Sequence, residues 1–490
     1  MNIRPVSEWT LYRLRFAIAY GCLAVLAITL LLLFGNDIPP GLGPSEQQSI
    51  ITSHAVTFDK LPTDIIDLPY HVLQKLSVDW LGVTPLGVRL PSLVFGALTA
   101  LCMALVLRRW FTTNVAILAT IIIITSSWFL GTARLGSAGV MIPFWTSALL
   151  LCATYVTQQT KNWKWWRVGF AMTAAFSLYT PFMIYLFAAV ALASVAQPHL
   201  RYLLRESNRV NLFIGGFFFV MMLVPLGWGV YQNPDIARVL LAVPVALPDP
   251  LQFLRDLLHA ASALLNPFNS STGEVILPTM SVVSVALLLM GGARLLRDFH
   301  SVRAHVLLIW AAILLPVIAL NPNSLAVAMI PAFLVITIGL NQIIRYWYRL
   351  FPRNPYARLF GLLPLAVLIV SIVQVNYQRY TFGMAYSAQS GNTFVPDAFL
   401  AQDEIEKAKA GSVTLVVPEN QRPLYEVMAG RSKTVVVTSG AFAQQRPGTW
   451  VVMPQEVGPL GTTVPMPKPP SKMVVSDRKA DSLRFVVYQR

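Results

Sequence analysis

Charged residues are scarce in this chain of 490 residues, which is 55% hydrophobic and only 12% charged. A soluble domain usually carries about 25% charged residues. Apolar runs of membrane-spanning length, about 20 residues, recur along the sequence. They are too long and continuous for the strands of a membrane barrel. The composition therefore predicts an all-α polytopic membrane bundle and excludes a water-soluble fold.

Cysteine is also scarce, and it forms no motif. The three cysteines, Cys22, Cys102 and Cys152, all fall within apolar runs. The sequence contains no CxxC pair and no Cys/His spacing typical of a metal site. We therefore expect neither a disulfide framework nor a bound metal or cofactor.

Eleven of the apolar runs are predicted to be membrane spans. Their approximate limits are 16–34, 86–107, 114–130, 139–157, 168–180, 182–196, 210–230, 278–292, 304–320, 325–343 and 359–376. The continuous run 168–196 is divided in two because basic residues flank both its ends, and such residues stay on the cytoplasmic side. The turn is predicted at Tyr179-Thr180-Pro181, since the residue before a proline disfavours helix. The N-terminus is then inside and the C-terminus outside.

The net charge of +15 follows this topology. The predicted inner segments hold 18 basic residues and three acids, whereas the outer loops before residue 377 hold six basic residues and ten acids. A basic excess on the inner face is the positive-inside pattern, so it does not indicate a nucleic-acid partner. We expect a multi-pass protein of the plasma membrane, in a prokaryotic cell.

The membrane domain is predicted to occupy residues 1–376 and to carry two sizeable outer loops. The first outer loop, 35–85, contains amphipathic patterns near 45–58 and 69–80 that predict two helices parallel to the membrane. The second, 231–277, contains a helical pattern in its latter half. Both loops are long enough to build a site on the outer face.

The tail, residues 377–490, differs in composition and is predicted to be a small extracytoplasmic α/β domain. Helices are predicted near 397–409 and Arg422–Ala429. The predicted strands are Ser412–Val417, Thr434–Thr438, Thr449–Met453, Met473–Val475 and Leu483–Tyr488. No catalytic motif stands out in this domain.

Four short stretches follow one another along the first half of the chain. They are Pro39-Pro40-Gly41-Leu42 with Glu46, then Leu68-Pro69-Tyr70, then Arg89-Leu90-Pro91-Ser92 with Gly96, and finally Thr132-Ala133-Arg134. Their order and spacing resemble the GT-C superfamily of membrane glycosyltransferases. The nearest resemblance is to bacterial members similar to protein O-mannosyltransferases and lipid A aminoarabinose transferases.

This resemblance implies a bundle with two membrane-parallel helices in the first outer loop and a cavity on the outer face. It implies transfer of a sugar from a polyprenyl-phosphate carrier to an unknown glycan, lipid or protein acceptor. The isoprenoid tail of the donor needs access from the lipid bilayer, and its phosphate needs a cationic partner. The acceptor hydroxyl needs a general base.

The expected general base is Glu46, with Asp37 as the alternative acid. The Asp-Glu pair of the family is Ser45-Glu46 here, and serine does not accept a proton near neutral pH without a helper. The loop 131–137 contains no acid either. Glu46 could instead cap a helix, with Ser45 as the N-cap and Gln48 three residues on. The alternative function is therefore an inactive relative that binds a lipid-linked glycan or scaffolds a cell-envelope complex.

Outer-face arginines are candidates to bind the donor phosphate, because a guanidinium offers a planar fork of donors. We expect this role for Arg134, Arg89 and Arg238. A structural role stays open for each, such as an interfacial arginine that reaches the membrane surface. The residues expected to line the substrate site are Ser45, Asp67, Tyr70, His71 and His259.

Overall fold

The structure is a computed structural model, in which each predicted apolar run is largely helical where it is described. It describes residues 10–33, 38–56, 65–158, 163–196, 202, 209–244, 246, 248–268, 277–321, 325–350, 356, 360, 362–394, 397–407, 413–429, 434–437, 449–453, 455–457, 470–475 and 483–489. The candidate acid Asp37 lies outside these ranges.

The helices account for most of the described residues. In chain order they are α1 Thr10–Leu32, α2 Pro44–Ala55, α3 Leu68–Leu81, α4 Pro85–Trp110, α5 Thr113–Thr125, α6 Ser127–Arg134, α7 Met141–Thr157, α8 Trp163–Ser177, α9 Met183–Ala196, α10 Arg209–Gln232, α11 Asp235–Leu240, α12 Pro250–Leu265, α13 Val282–Arg297, α14 Val302–Leu320, α15 Met329–Leu350, α16 Leu362–Tyr386, α17 Ala388–Thr393, α18 Asp397–Lys407 and α19 Arg422–Ala429. Short 3-10 turns precede α7 and α15.

Within the described ranges, six helices are long and apolar enough to cross a membrane, or seven if α5 and α6 form one bent span. The predicted turn at Tyr179-Thr180-Pro181 is confirmed, because α8 ends at Ser177 and α9 begins at Met183. These two helices have 15 and 14 residues, fewer than the about 20 of a straight span. The total of eleven spans and the orientation of the termini stay predictions.

Helices α5 and α6 meet at a bend of 58°. The break falls at Ser126, whose backbone is extended. Thr125 donates its hydroxyl to the carbonyl of Ile121 at 2.7 Å, and Ser127 donates to the carbonyl of Pro278 at 2.9 Å. Hydroxyls that bond to backbone carbonyls in this way often accompany helix bends. The bend matters because α6 ends at Arg134.

Helices α13 and α15 approach each other closely at two glycines. A Cβ atom added to Gly291 would lie 2.0 Å from the carbonyl oxygen of Val335, and one added to Gly339 would lie 2.1 Å from that of Leu287. Small residues allow such backbone contact inside membranes.

The first outer loop contains the two expected helices, α2 and α3, which pack against each other and against α4. The helix α2 has Gly43 as its N-cap, Pro44 at its first position and Glu46 at N3. The expected N-cap at Ser45, with Gln48 at N3, is therefore wrong by two residues. Proline suits the first position because its missing N–H would lack a helical partner anyway.

The tail forms a mixed five-stranded sheet, whose order is β2-β1-β3-β5-β4. The strands are β1 Val413–Val416, β2 Thr434–Val437, β3 Thr449–Val452, β4 Lys472–Val475 and β5 Leu483–Gln489. β1 is parallel to β2 and β3, while β5 is antiparallel to β3 and β4. Each predicted strand is confirmed to within one residue at either end. The helix α19 provides the crossover between the parallel strands β1 and β2.

The sheet domain packs on the first outer loop. Leu42, Ile50 and Val88 share one buried apolar cluster with Ala398 of α18 and Leu424 of α19. The helix α16 continues to Tyr386, so the predicted division at 376/377 falls inside a helix. The tail and the first loop therefore lie on the same end of the bundle.

Candidate functional site

Glu46 is fully buried and accepts four hydrogen bonds. Its Oε1 accepts from Nε of Arg89 at 2.9 Å and from the backbone N–H of Gly136 at 2.7 Å. Its Oε2 accepts from the backbone N–H of Gly43 at 2.9 Å and from Nη2 of Arg89 at 3.4 Å. The capping role considered for Glu46 is confirmed, although the capped N–H belongs to Gly43.

Arg89 is the hub of this arrangement, and it is only 2% exposed. Besides Glu46, it donates from Nη1 to the carbonyl of Pro39 at 3.0 Å and from Nη2 to that of Gly41 at 2.6 Å. Its guanidinium also lies over the ring of Phe399, 5.9 Å from the centroid. The ion pair therefore ties the chain before α2 to the start of α4 and to the tail domain.

The Gly136 segment, residues 135–137, is held against Glu46 at very short range. A Cβ atom at Gly136 would lie 2.7 Å from Cγ1 of Val88 and 3.2 Å from Oε1 of Glu46, so only glycine fits here. The carbonyl of Gly136 accepts from Nε2 of Gln74 at 2.9 Å. This acid-free loop thus receives its carboxylate from the first outer loop.

Arg134 is 3% exposed, and its guanidinium lies 5.3 Å from the ring centroid of Tyr380. Among the described residues, Nη2 of Arg134 and the hydroxyl of Tyr380 are both buried without a hydrogen-bond partner. Arg134 is near enough to Arg89 for the two charges to repel, and it lies two residues before Gly136, whose N–H bonds to Glu46. The structure therefore brings Glu46, Arg89 and Arg134 into one cluster and leaves Arg134 with unused donor capacity.

Gln74 is fully buried and joins α2, α3, α4 and the Gly136 segment. Its Nε2 donates to the carbonyls of Gly136 and, at 3.2 Å, of Val88. Its Oε1 accepts from the hydroxyls of Ser49 at 2.7 Å and Ser53 at 2.6 Å. A flipped amide would set its oxygen against two carbonyls, so this orientation follows from the network.

The Gln74 network fixes the tautomer of His71. The hydroxyl of Ser53 donates its one hydrogen bond to Gln74, and its oxygen also lies 2.9 Å from Nδ1 of His71. Nδ1 must therefore carry a proton. Burial lowers the pKa of His71 to about 4, so the imidazole is neutral near pH 7. Its Nε2 then keeps a lone pair and can accept a hydrogen bond.

Tyr70 lies in the first turn of α3 and is fully buried. Its hydroxyl is 2.7 Å from the hydroxyl of Ser92, and burial raises its pKa. Ser92 in turn lies 3.5 Å from the carbonyl of Ser137. Tyr70 therefore supports the Gly136 segment through Ser92. Its hydroxyl stays protonated near neutral pH.

Asp67 precedes α3 in a left-handed conformation, with φ of 51°. Its N–H donates to the carbonyl of Tyr179 at 2.9 Å, in the turn between α8 and α9. Burial raises the pKa of its carboxyl to about 7, and the nearby Thr180 partly offsets this rise. Asp67 thus faces the α8–α9 turn, whereas Glu46 faces the Gly136 segment.

The other expected site residues are more peripheral. Ser45 is partly buried in the first turn of α2. Arg238 is 43% exposed on α11 and pairs with Asp235 at 3.4 Å. His259 is exposed on α12, which packs against α14. No described contact joins Arg238 or His259 to the cluster of Glu46, Arg89 and Arg134.

Two residues of the site were missed in the sequence. In the sequence, Gln74 looks like any polar residue of an amphipathic helix. The one available signal was the spacing of Ser49 and Ser53, which lie on the face of α2 that packs against α3. Tyr380 lies at the end of an apolar run and carries no motif. In the described part of the chain, no group of three His, Cys, Asp or Glu side chains could hold a metal ion.

Comparisons with known proteins give the same fold. The family model for dolichyl-phosphate-mannose-protein mannosyltransferase matches residues 70–228. The chain is similar to ArnT from Cupriavidus metallidurans bound to undecaprenyl phosphate, at 14% identity and a TM-score of 0.59, over 97% of this chain and 98% of that one. No curated protein is significantly similar in sequence.

Two further solved structures are similar. AglB from Archaeoglobus fulgidus, an archaeal oligosaccharyltransferase in complex with an inhibitory peptide and a dolichol-phosphate, shares 13% identity and a TM-score of 0.54, over 91% of this chain and 70% of that one. The arabinofuranosyltransferase AftD from Mycobacteria shares 13% identity and a TM-score of 0.51, over 97% and 41%. The resemblance to the GT-C superfamily is thereby confirmed at the level of the fold.

Proposed function

Because the chain has the GT-C fold, we propose that it is a membrane glycosyltransferase that moves a sugar from a polyprenyl-phosphate carrier to an acceptor on the outer face of the membrane. Two of the similar structures hold carriers of this class, undecaprenyl phosphate and dolichol-phosphate. The acceptor is a glycan, a lipid or a protein.

The observation that carries this proposal is Nη2 of Arg134, which is buried and has no hydrogen-bond partner among the described residues. A buried donor on a charged group is costly to leave unsatisfied, so it favours an anionic acceptor. A phosphate offers several acceptor oxygens to the planar guanidinium. The guanidinium lies over the ring of Tyr380, whose buried hydroxyl has no hydrogen-bond partner among the described residues and would supply a further donor. We assign the donor phosphate to this pair.

Arg89 and Glu46 contribute to the same phosphate site indirectly, because they hold Arg134 in place. Arg89 is occupied by Glu46 and two backbone carbonyls, so it has no donor fork to offer the phosphate. Glu46 holds the Gly136 segment, which directly follows Arg134 in the chain. We propose that the pair fixes where Arg134 presents its guanidinium.

We assign the proton acceptor to a first-loop acid, and the two candidates are Glu46 and Asp37. Both oxygens of Glu46 are occupied. Catalysis by Glu46 therefore requires that the N–H of Gly136 leave Oε1 when the acceptor binds. A positioned general base typically contributes about 10²–10⁴-fold in rate.

The test is release of polyprenyl phosphate by the full-length protein in liposomes, with a panel of polyprenyl-phosphate-linked hexoses and pentoses as donors. We expect Arg134→Gln to abolish release, while Arg238→Gln, the matched exposed control, keeps the wild-type rate. Release kept by Glu46→Gln would exclude Glu46 as the base, and loss of release by Asp37→Asn with unchanged thermal stability would assign the base to Asp37. Unchanged release by Arg134→Gln would reject the donor site.

A second candidate function is binding of the lipid-linked sugar without transfer. It is favoured by the fully hydrogen-bonded state of Glu46 beside Ser45, where the family has an aspartate. This candidate predicts carrier binding that depends on Arg134, with no release of polyprenyl phosphate. Ser45→Asp would then create turnover in a protein that is otherwise silent, whereas native turnover would refute it.

A further inference from the structure

Helix α12 of the second outer loop presents an apolar stripe on its exposed side. Leu251, Leu254 and Leu258 are between 51% and 63% exposed, and Leu265 is exposed as well. With a rotation of about 100° per residue, these four leucines fall within an arc of about 60°. Apolar side chains that lie singly on a surface need no explanation, but a continuous apolar patch marks a contact surface. We call this patch the leucine stripe.

The opposite side of α12 is already packed. Ala260 and Ala263 lie on that side and are both buried. The helix packs against α14, and the carbonyl of Ala263 accepts from the hydroxyl of Thr279 at 3.1 Å. These contacts fix the rotation of α12 about its axis. The leucine stripe is thus held outward, away from the part of the protein that the structure describes.

The neighbour of α12 is a lipid-facing helix. α14 is one of the helices that are long and apolar enough to cross a membrane, and its Leu315 is 53% exposed. A membrane-spanning helix turns such side chains toward the hydrocarbon of the bilayer. The leucine stripe therefore lies on an element that packs directly on the lipid-facing surface of the bundle.

Polar and charged side chains border the leucine stripe along one edge. Arg255 and His259 are exposed and come next around the helix after Leu251. The neighbouring acid, Asp256, accepts from Nε2 of Gln252 at 2.9 Å. An arginine beside an apolar stripe can lay its stem along hydrocarbon while its guanidinium bonds to phosphate head groups. An apolar face with a cationic edge is typical of a helix that lies in the membrane surface.

Helix α3 of the first outer loop has an exposed face of the same kind. Its exposed side carries Leu76 and Trp80, and Trp80 is 87% exposed, whereas its buried side carries His71 and Gln74. Water would favour the reverse arrangement, with the polar side chains outward. Both outer loops therefore contain a helix whose exposed face suits hydrocarbon better than water.

We propose that α12 binds the phospholipid bilayer, with the leucine stripe in the hydrocarbon and Arg255 and His259 at the level of the phosphate head groups. The second outer loop is then a membrane-bound element. His259 contacts lipid head groups and does not line a substrate site. This role goes beyond sugar transfer and does not depend on it.

The test measures collision rates of a spin label in the full-length protein, in liposomes of phosphatidylcholine and phosphatidylglycerol. Cys22→Ser and Cys102→Ala remove the two cysteines that are not buried. The label is then attached through Leu254→Cys or, as the matched control on the polar side of α12, through Gln252→Cys. Oxygen concentrates in hydrocarbon, whereas a neutral nickel chelate stays in water. We expect the label at 254 to collide mainly with oxygen and the label at 252 mainly with the chelate.

Two results would overturn the proposal. A label at 254 that collides mainly with the nickel chelate would show that the leucine stripe faces water. A label at 254 that is shielded from both reagents would assign the stripe to a protein contact, such as a second copy of this chain. Conversely, Leu251→Ser with Leu258→Ser should lower the oxygen preference at 254, whereas Gln252→Ser with His259→Ser should leave it unchanged.

A second readout keeps the native cysteines in place. The fluorescence that Leu254→Trp adds to the wild-type signal should be quenched by phosphatidylcholine with bromine on its acyl chains. The fluorescence that Gln252→Trp adds should instead be quenched by iodide in the water. The reverse pattern, or equal quenching of the two variants by both reagents, would contradict a membrane-bound α12.

Discussion

The first and second outer loops carry the same kinds of candidate residue but use them differently. Glu46 in the first loop is fully buried and bonds to Arg89 of α4, 43 positions away in sequence. Arg238 in the second loop is 43% exposed and bonds to Asp235, three positions away on the same helix. The Glu46–Arg89 pair joins two separate helices, whereas the Asp235–Arg238 pair lies on the surface of one helix.

The two ion pairs differ in their exposure to solvent, which decides how much each contributes to stability. An exposed ion pair is screened and contributes about 0–1 kcal/mol. Removing one partner of a buried pair leaves an uncompensated charge, which costs about 3–5 kcal/mol. Mutations in the first loop should therefore lower the free energy of unfolding as core mutations do, whereas mutations in the second loop should have the small effects of surface mutations. Mutations can test that contrast directly.

The largest effect is expected for Glu46→Gln, because it leaves Arg89 buried without a counter-charge. We predict a loss of about 3–5 kcal/mol in unfolding free energy, measured by denaturant titration in detergent. Arg89→Met should be similar, and the double variant should lose less than the sum of the two. Additive losses would show that the two side chains do not act as a pair.

Opposite pH dependences are expected for two groups at the start of α3. Between about pH 4 and 6.5, unfolded His71 binds a proton that the folded protein excludes, so it adds about 3 kcal/mol of stability as pH rises. Folded Asp67 keeps its proton up to about pH 7, so it removes about 4 kcal/mol between pH 4 and 7.

The wild-type protein should therefore show a shallow profile of thermal midpoint against pH. His71→Asn, which retains a donor for Ser53, should tilt the profile toward greater stability at low pH relative to the wild type. Asp67→Asn should tilt it the other way. Parallel profiles for all three proteins would contradict both shifted pKa values.

A moderate effect is expected for Gln74→Leu. The change leaves the hydroxyls of Ser49 and Ser53 and the carbonyl of Gly136 without their partner, at a cost of about 1–3 kcal/mol. The matched control is Gln252→Leu on the second loop, where exposed Gln252 donates to half-buried Asp256, its one side-chain partner among the described residues. Equal losses in the two variants would remove the distinction between the loops.

The smallest effect is expected for Asp235→Asn, which breaks the exposed pair with Arg238. We predict a change below about 1 kcal/mol that fades as salt is added. A loss as large as that of Glu46→Gln would mean that the second loop is also a buried element.

Local patterns in the sequence predicted α2, α3 and the five strands of the tail well, because hydrophobic periodicity and turn residues act over a few neighbours. The N-cap of α2 was misplaced because Ser45 has the preferred side chain, whereas the bond from Gly43 to Glu46 decides the start. Gln74 bonds to partners 14 to 62 positions away, and the ring of Tyr380 contacts Arg134 from the far end of the membrane domain. Such long-range partners leave no trace in a single sequence.

Glu46 shows the limit most clearly. As a lone acid in an outer loop it suggested a general base, and the same carboxylate is also an N-cap and an ion-pair partner. Only three-dimensional contacts show that all its oxygens are engaged, while Arg134 keeps a free donor. The functional proposal therefore rests on the buried Nη2 of Arg134, which has no hydrogen-bond partner among the described residues, and not on Glu46.

The most direct test of that proposal is binding of farnesyl phosphate, a short carrier analogue, to the purified full-length protein by titration calorimetry. We predict that Arg134→Gln weakens binding by about tenfold or more, since a charge-assisted pair contributes about 1.5–3 kcal/mol, while Arg238→Gln binds like the wild type. Equal affinity of the Arg134→Gln variant and the wild type would contradict it.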